Sequence, residues 1–111
     1  YSVEDLYNFV YKETGVPIVF DYHHHSLNNG GMSHKDALAI AVSTWGSIKP
    51  VVHYSESRCE EQKVKCPPQA HSDYVYNYID TFGQDVDVMI EAKMKELALF
   101  KYRDIHCKKA A

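Results

Sequence analysis

Three short apolar runs each end in a residue that can bind a metal, and this recurrence narrows the folds open to the chain. Val16-Pro17-Ile18-Val19-Phe20 runs into Asp21 and then Tyr22-His23-His24-His25; Pro50-Val51-Val52 runs into His53; Val88-Met89-Ile90 runs into Glu91. Near-continuous apolar runs of this length suit strands covered on both faces, as in a parallel sheet. A carboxylate or imidazole at the end of such a strand is costly unless it finds a partner, so three of them point to a shared purpose.

The stretches between the runs read as helices and turns. Ser2-x-x-Asp5 has the spacing of a capping box with Asp in place of the usual Glu, and Leu6, Phe9, Val10 and Glu13 follow at helical spacing up to Thr14-Gly15. Asn28-Asn29-Gly30-Gly31 is turn chemistry. Ser33-x-x-Asp36 predicts a second capped helix with Leu38, Ala41, Val42 and Trp45 on one side, ended by Gly46. His71-Ser72-Asp73 predicts the start of a third, with Tyr74, Val75, Tyr78 and Ile79 spaced for burial and Gly83 as its stop. A fourth is expected from Lys93 to about Cys107, with Met94, Leu97, Ala98 and Phe100 inward. Lys101, Arg103, Lys108 and Lys109 lie near its end and suit the helix dipole. Strands are expected over 17–20, 50–53 and 85–91. Between Ser55 and Gln69 the composition turns to charges, cysteine and Pro-Pro. Positions 57–70 are read there as a hydrophilic insertion that is mobile or touches a ligand rather than packing.

The order α-β-α-β-α-β-α implies parallel strands, because helices intervene. Three strands cannot close a barrel. They match the C-terminal portion, about three β/α units, of a TIM (β/α)8 barrel, with the first helix left over from a preceding unit. An open doubly wound sheet would call for a glycine-rich phosphate turn, and the chain has none.

With 111 residues, 45% hydrophobic and 24% charged, the chain is expected to fold as a single segment, 1–111, rather than stay disordered. It begins at Tyr1 without Met, and its first element looks like the middle of something, so a piece of a longer protein is expected. A net charge of -3 argues against holding nucleic acid by bulk electrostatics, while leaving room for a local basic groove or a metal cluster. No apolar run is long enough for a membrane span, and no basic-then-apolar leader is present. Cys59, Cys66 and Cys107 are odd in number and lack Cys-x-x-Cys spacing. That fits a soluble intracellular protein in a reducing compartment better than a disulfide framework, with a Cys59–Cys66 clip as the alternative.

If Asp21, His53 and Glu91 point into a barrel lumen, the period of two puts Val19, Val51 and Met89 in the layer beneath them. Neighbouring strands are about 4.8 Å apart, close enough for three strand-end ligands to share cations. His24 follows Asp21 by three residues and His71 precedes a helix, so Asp21, His24, His53, His71 and Glu91 form the candidate ligand set. Mixed nitrogen and oxygen ligands suit Zn²⁺ or Mn²⁺, and such clusters activate water and neutralise a phosphodiester under attack. Asp21, Glu91 and Lys93 are the candidates for catalytic roles, Lys93 by meeting a phosphate. His23 and His25 are read as a surface residue and an outer partner, since three consecutive histidines cannot point one way. Tyr22, Tyr54 and Tyr74 are read as packing residues rather than platforms for bases.

Four phrases in order resemble the C-terminal part of UV damage endonucleases. They are Val19-Phe20-Asp21-Tyr22-His23-His24, Lys49-Pro50-Val51-Val52-His53-Tyr54-Ser55-Glu56, His71-Ser72-Asp73-Tyr74-Val75 and Ile90-Glu91-Ala92-Lys93-x-Lys95-Glu96-x-Ala98-Leu99. The resemblance implies a TIM barrel related to endonuclease IV, with a cluster of divalent metals, Mn²⁺ before Zn²⁺ or Mg²⁺. The implied activity is nicking of damaged double-stranded DNA immediately 5′ of UV photoproducts and related lesions. It assigns Asp21, His24, His53, His71 and Glu91 to metal positions. Val51 stands where some members carry a modified lysine that helps bind a metal. The family's earlier ligands fall on preceding strands, so the N-terminal remainder of the barrel is an expected partner and the segment alone is expected to be inactive. The alternatives are another endonuclease IV-like or isomerase-like barrel enzyme, and a non-catalytic metal-binding or assembly module that pairs with a second copy through exposed barrel edges.

Overall fold

A computed structural model describes residues 1–107. In chain order it contains α1 (Val3–Leu6), a π-helical stretch (Tyr7–Tyr11), α2 (Lys12–Thr14), β1 (Phe20–Asp21), α3 (Tyr22–Leu27), α4 (His34–Ser43), β2 (Val51–Tyr54), α5 (Arg58–Gln62), β3 (Asp87–Ile90) and α6 (Glu96–His106). The strands form one parallel sheet in the order β1-β2-β3. Among the described residues no helix is long and apolar enough to cross a membrane.

The capping box at Ser2 and Asp5 forms as the spacing requires, the Ser2 Oγ accepting from Asp5 N–H at 3.2 Å and the Asp5 carboxylate from Ser2 N–H at 3.3 Å. The helical run continues to Gly15, whose φ of 73° is the left-handed turn that glycine takes without a Cβ clash. The π-helical stretch in its middle was not foreseen, and it shifts the faces. Phe9, one of the residues at helical spacing, is 74% exposed.

The first strand is shorter than the 17–20 run, because the turn that ends α4 takes the backbone of Ile18. Thr44 Oγ1 accepts from Ile18 N–H at 2.9 Å, and Trp45 Nε1–H donates to the Ile18 carbonyl at 2.8 Å. Thr44 also donates to the Ala41 carbonyl at 2.6 Å and is buried. Thr44→Val is therefore expected to destabilise the chain by about 1–3 kcal/mol, the cost of a buried N–H without a partner, seen as a lower urea midpoint at unchanged slope.

Burial alternates along the strands. Ile18, Phe20 and Val52 are buried on the helix side, whereas Val19 and Met89 on the other side are 43% and 54% exposed and Val51 is half-buried. Those three are the residues expected beneath the ligands, so the period-two assignment is the one observed. The core joins Phe20 and Val52 to Leu38, Ala37 and Ala41 of α4, with Val75, Ile79 and Tyr102.

Two expectations for the C-terminal half need correction. No helix forms over 71–83, because carboxylates and a hydroxyl capture the backbone N–H groups a helix would use. Glu61 accepts from Asp73 and Tyr74, Glu56 from Tyr76 and Asn77, and the Tyr102 hydroxyl from Ile79. The last helix begins at Glu96 rather than Lys93, since Lys95 sits at a φ of 51° outside helical geometry. It packs through Ala98 and Tyr102, while Leu97 and Phe100, expected inward, stay exposed. Lys108 and Lys109 lie outside the described residues.

The 57–70 stretch has no buried residue, but it is tethered at several points. Ser57 caps α5 through Glu60 N–H and pairs with His71, and Cys59 and Cys66 are joined in a disulfide. Seven-residue spacing with α5 and a turn between them brings the two cysteines together, which the odd cysteine count obscured.

Candidate metal centre

The sheet register builds the site. Asp21 pairs with His53, and His53 with Met89, so Glu91 lies two residues further along the same face. Glu91 N–H donates to the Tyr54 carbonyl at 2.9 Å, which extends the ladder just far enough to fix the carboxylate. As a result Asp21, His53 and Glu91 each offer one ligand atom, all within 4.8 Å of one another and all half-buried. His53 Nδ1 lies 3.2 Å from Glu91 Oε1. Asp21 also caps α3, accepting from His24 N–H at 2.9 Å. A carboxylate has lone pairs enough for both tasks.

The other candidates sit around this triad. His24 turns its Nε2 to the Tyr1 carbonyl at 3.3 Å, outside the group of three. His71 and Lys93 line an open depression of about 710 Å³ together with Glu91, Val51 and Met89. Lys93 is held there by its backbone, its N–H donating to the Ser72 carbonyl at 3.0 Å. The structure thus brings Asp21, His53 and Glu91 into contact range, and places His71 and Lys93 beside Glu91.

His23, His25, Tyr22 and Tyr74 have partners outside the triad. His23 Nε2–H donates to the Pro68 carbonyl at 2.9 Å, on the surface. His25, expected as an outer partner of the site, is instead a core residue against Phe20, donating to the Met32 carbonyl. Burial holds its pKa below the ordinary histidine value. Tyr22 packs on Phe20 and Tyr54, and burial with the nearby Asp80 charge pushes its hydroxyl up to about 12. The Tyr74 ring carries the Lys101 ammonium at 4.5 Å.

Glu56 and Glu61, which sequence patterns did not single out, organise the loops around the site. Burial pushes the Glu61 carboxyl up, but hydrogen bonds from Asp73 N–H, the Tyr76 hydroxyl, Tyr74 N–H and Gln62 outweigh it and hold the group below the ordinary glutamate value. With its folded pKa depressed, its stabilising contribution is complete above the unfolded value and is lost as pH falls through the folded one. Acidification below the ordinary glutamate range should therefore lower the protection of the Asp73 and Tyr74 amides, measured as their exchange rate relative to an unstructured peptide at the same pH. Glu61→Gln should lower that protection already at neutral pH and remove its dependence on acid; unchanged protection in the variant would refute the assignment.

The UV-endonuclease UvdE family matches residues 1–109. The UV DNA damage endonuclease of Bacillus cereus (strain G9842) is 33% identical over 114 residues, an alignment that covers 94% of this chain and 34% of the relative. That of Bacillus velezensis is 38% identical over 103 residues, covering 83% and 31%. The crystal structure of SacUVDE is 30% identical and superposes with a TM-score of 0.69 over 94% of this chain and 37% of that one. The chain thus spans about a third of the length of the curated relatives it matches. Its sheet corresponds to about three β/α units of a TIM barrel, the C-terminal portion that the strand count predicts. These matches lead to one assignment: the chain belongs to the UV-endonuclease UvdE family.

Proposed function

We propose that this chain supplies part of the divalent-metal centre of a DNA repair endonuclease that cuts the backbone 5′ of UV photoproducts and related lesions. The observation that carries the reading is the convergence of Asp21, His53 and Glu91, from three strands, within 4.8 Å. One imidazole and two carboxylates fit Mn²⁺ or Zn²⁺, with Mn²⁺ the ion the resemblance implies. A divalent cation bound there would supply Lewis acidity, making water a better nucleophile and offsetting charge on the phosphodiester.

The residues of the chain divide the remaining work. Asp21 and Glu91 bring two negative charges that balance the cation, and His53 adds a neutral nitrogen ligand fixed by the sheet. Lys93, at the edge of the depression it shares with Glu91, pairs with a phosphate oxygen of the damaged duplex. His71 in the same depression and His24 beside Asp21 complete a neighbouring ligand position. Acting alone, the 111-residue chain holds too few ligands for catalysis and is expected to leave irradiated plasmid intact.

A segment exchange tests this. Residues 1–109, put in place of the matching segment of the Bacillus cereus relative, should give a protein that nicks UV-irradiated plasmid in the presence of Mn²⁺ and loses activity with chelator. An exchange protein that folds and binds Mn²⁺ but does not cut would overturn the catalytic reading in favour of a metal-binding module.

A further inference from the structure

The loop after β2 is stitched to the rim by contacts that converge on one covalent link. Cys59, in α5, is joined to Cys66. Both are half-exposed and border an open depression of about 860 Å³, so a small thiol can reach them. The same α5 carries Glu61, whose carboxylate accepts from Asp73 N–H at 2.8 Å, Tyr74 N–H at 3.1 Å and the Tyr76 hydroxyl at 2.8 Å. Arg58 of α5 adds an ion pair to Asp73 at 3.3 Å. On either side, Ser57 pairs with His71, Arg58 N–H donates to the Ala70 carbonyl at 3.0 Å, and Ser72 N–H donates to the Glu56 carbonyl at 2.8 Å. The carbonyls of Ser72 and Asp73 in turn hold Lys93 and Met94. A five-residue helix does not persist on its own tendency, so the grip of Glu61 on 73–74 depends on what holds α5 in place.

We propose that Cys59–Cys66 is a redox-sensitive clasp. Closed, it fixes α5 and through it the segment that carries His71 to the rim beside Glu91 and Lys93. Open, it frees residues 57–77 and withdraws His71 from the neighbouring ligand position. Only that last link rests on the metal-centre reading. A dithiol opens the clasp in two exchanges. Its first thiolate attacks one cysteine sulfur, breaking the S–S bond and forming a mixed disulfide. Its second thiolate then displaces the remaining cysteine. Two electrons and two protons pass to the Cys59 and Cys66 sulfurs, and the dithiol leaves as a cyclic disulfide. Cys107 is separate and exposed.

Amide exchange on the 111-residue chain, before and after treatment with dithiothreitol that is then removed under inert gas, reads the clasp directly. Reduction should raise the count of reactive thiols from one to three and speed exchange across 71–77 by roughly tenfold, leaving the β2 strand unchanged. A Cys59→Ser, Cys66→Ser double variant should reproduce the reduced pattern. Mn²⁺ affinity should fall several-fold on reduction, and His71→Ala should show the same fall with no further redox effect. Equal exchange in both redox states, or three reactive thiols before any reductant, would overturn the clasp. Faster exchange with unchanged Mn²⁺ affinity would overturn its link to His71. Failure to bind Mn²⁺ in either state would count against the metal-centre reading, and the clasp would still be decided by the exchange data.

Discussion

Mn²⁺ titrated into the His53→Ala variant should bind about a hundredfold more weakly than into the unaltered chain, a loss of about 2.8 kcal/mol. His53 is the central member of the triad: its strand lies between the other two, and its Nδ1 is 3.2 Å from Glu91 Oε1. Removing the imidazole takes away the nitrogen ligand and leaves Asp21 and Glu91 facing each other across an empty position, where two carboxylates repel. The fold should survive, because the His53 side chain is 32% exposed and does not belong to the buried core. Calorimetric titration measures the affinity, and circular dichroism confirms that the variant is folded. Equal Mn²⁺ affinity in a folded variant would remove the physical basis of the metal centre.

Phe20→Ala should cost about 3–5 kcal/mol, a large share of the roughly 5–15 kcal/mol that holds a typical domain together. Phe20 is fully buried one residue before Asp21, with ring centroids 4.9 Å from Tyr22 and 5.3 Å from His25. It also pairs through its backbone with Val52, which is itself buried. The cavity left by the ring is lined by β1, α3 and α4, which cannot all close on it without moving Asp21. Urea denaturation gives the size of the effect. A shift below about 1 kcal/mol, the range of ordinary surface changes, would mean that this packing does not carry the sheet.

The sheet and the convergence of Asp21, His53 and Glu91 were legible because they rest on local pattern. A period of two along Val19-Phe20-Asp21, Val51-Val52-His53 and Met89-Ile90-Glu91 fixes which side chains share a face, and parallel pairing brings the ends of the runs together. The Ser2, Ser33 and Ser57 caps are likewise written in two or three adjacent residues, although only the first two were read. What was missed depends on partners distant in sequence. The spacing of Tyr74, Val75, Tyr78 and Ile79 suits a helix, but Glu56 and Glu61 are 12 to 21 residues away and bind the N–H groups first. Phe100 and Leu97 looked like core residues on the same spacing that Ala98 and Tyr102 satisfy, and only the position of the sheet decides which pair is covered. His25 lay hidden in a run of three histidines, where no local pattern marks the one that turns inward to Phe20.

Asp21 ends β1 with its backbone, and its carboxylate both caps α3 and faces His53 and Glu91. This double duty sets a limit on side-chain length at position 21. A glutamate offers the same charge and the same affinity for hard cations, yet its extra methylene carries the oxygens past the His24 N–H that the shorter side chain reaches. The local geometry therefore selects aspartate by distance rather than by chemistry, and any gain in reach toward a cation would come at the expense of the first turn of the helix that follows.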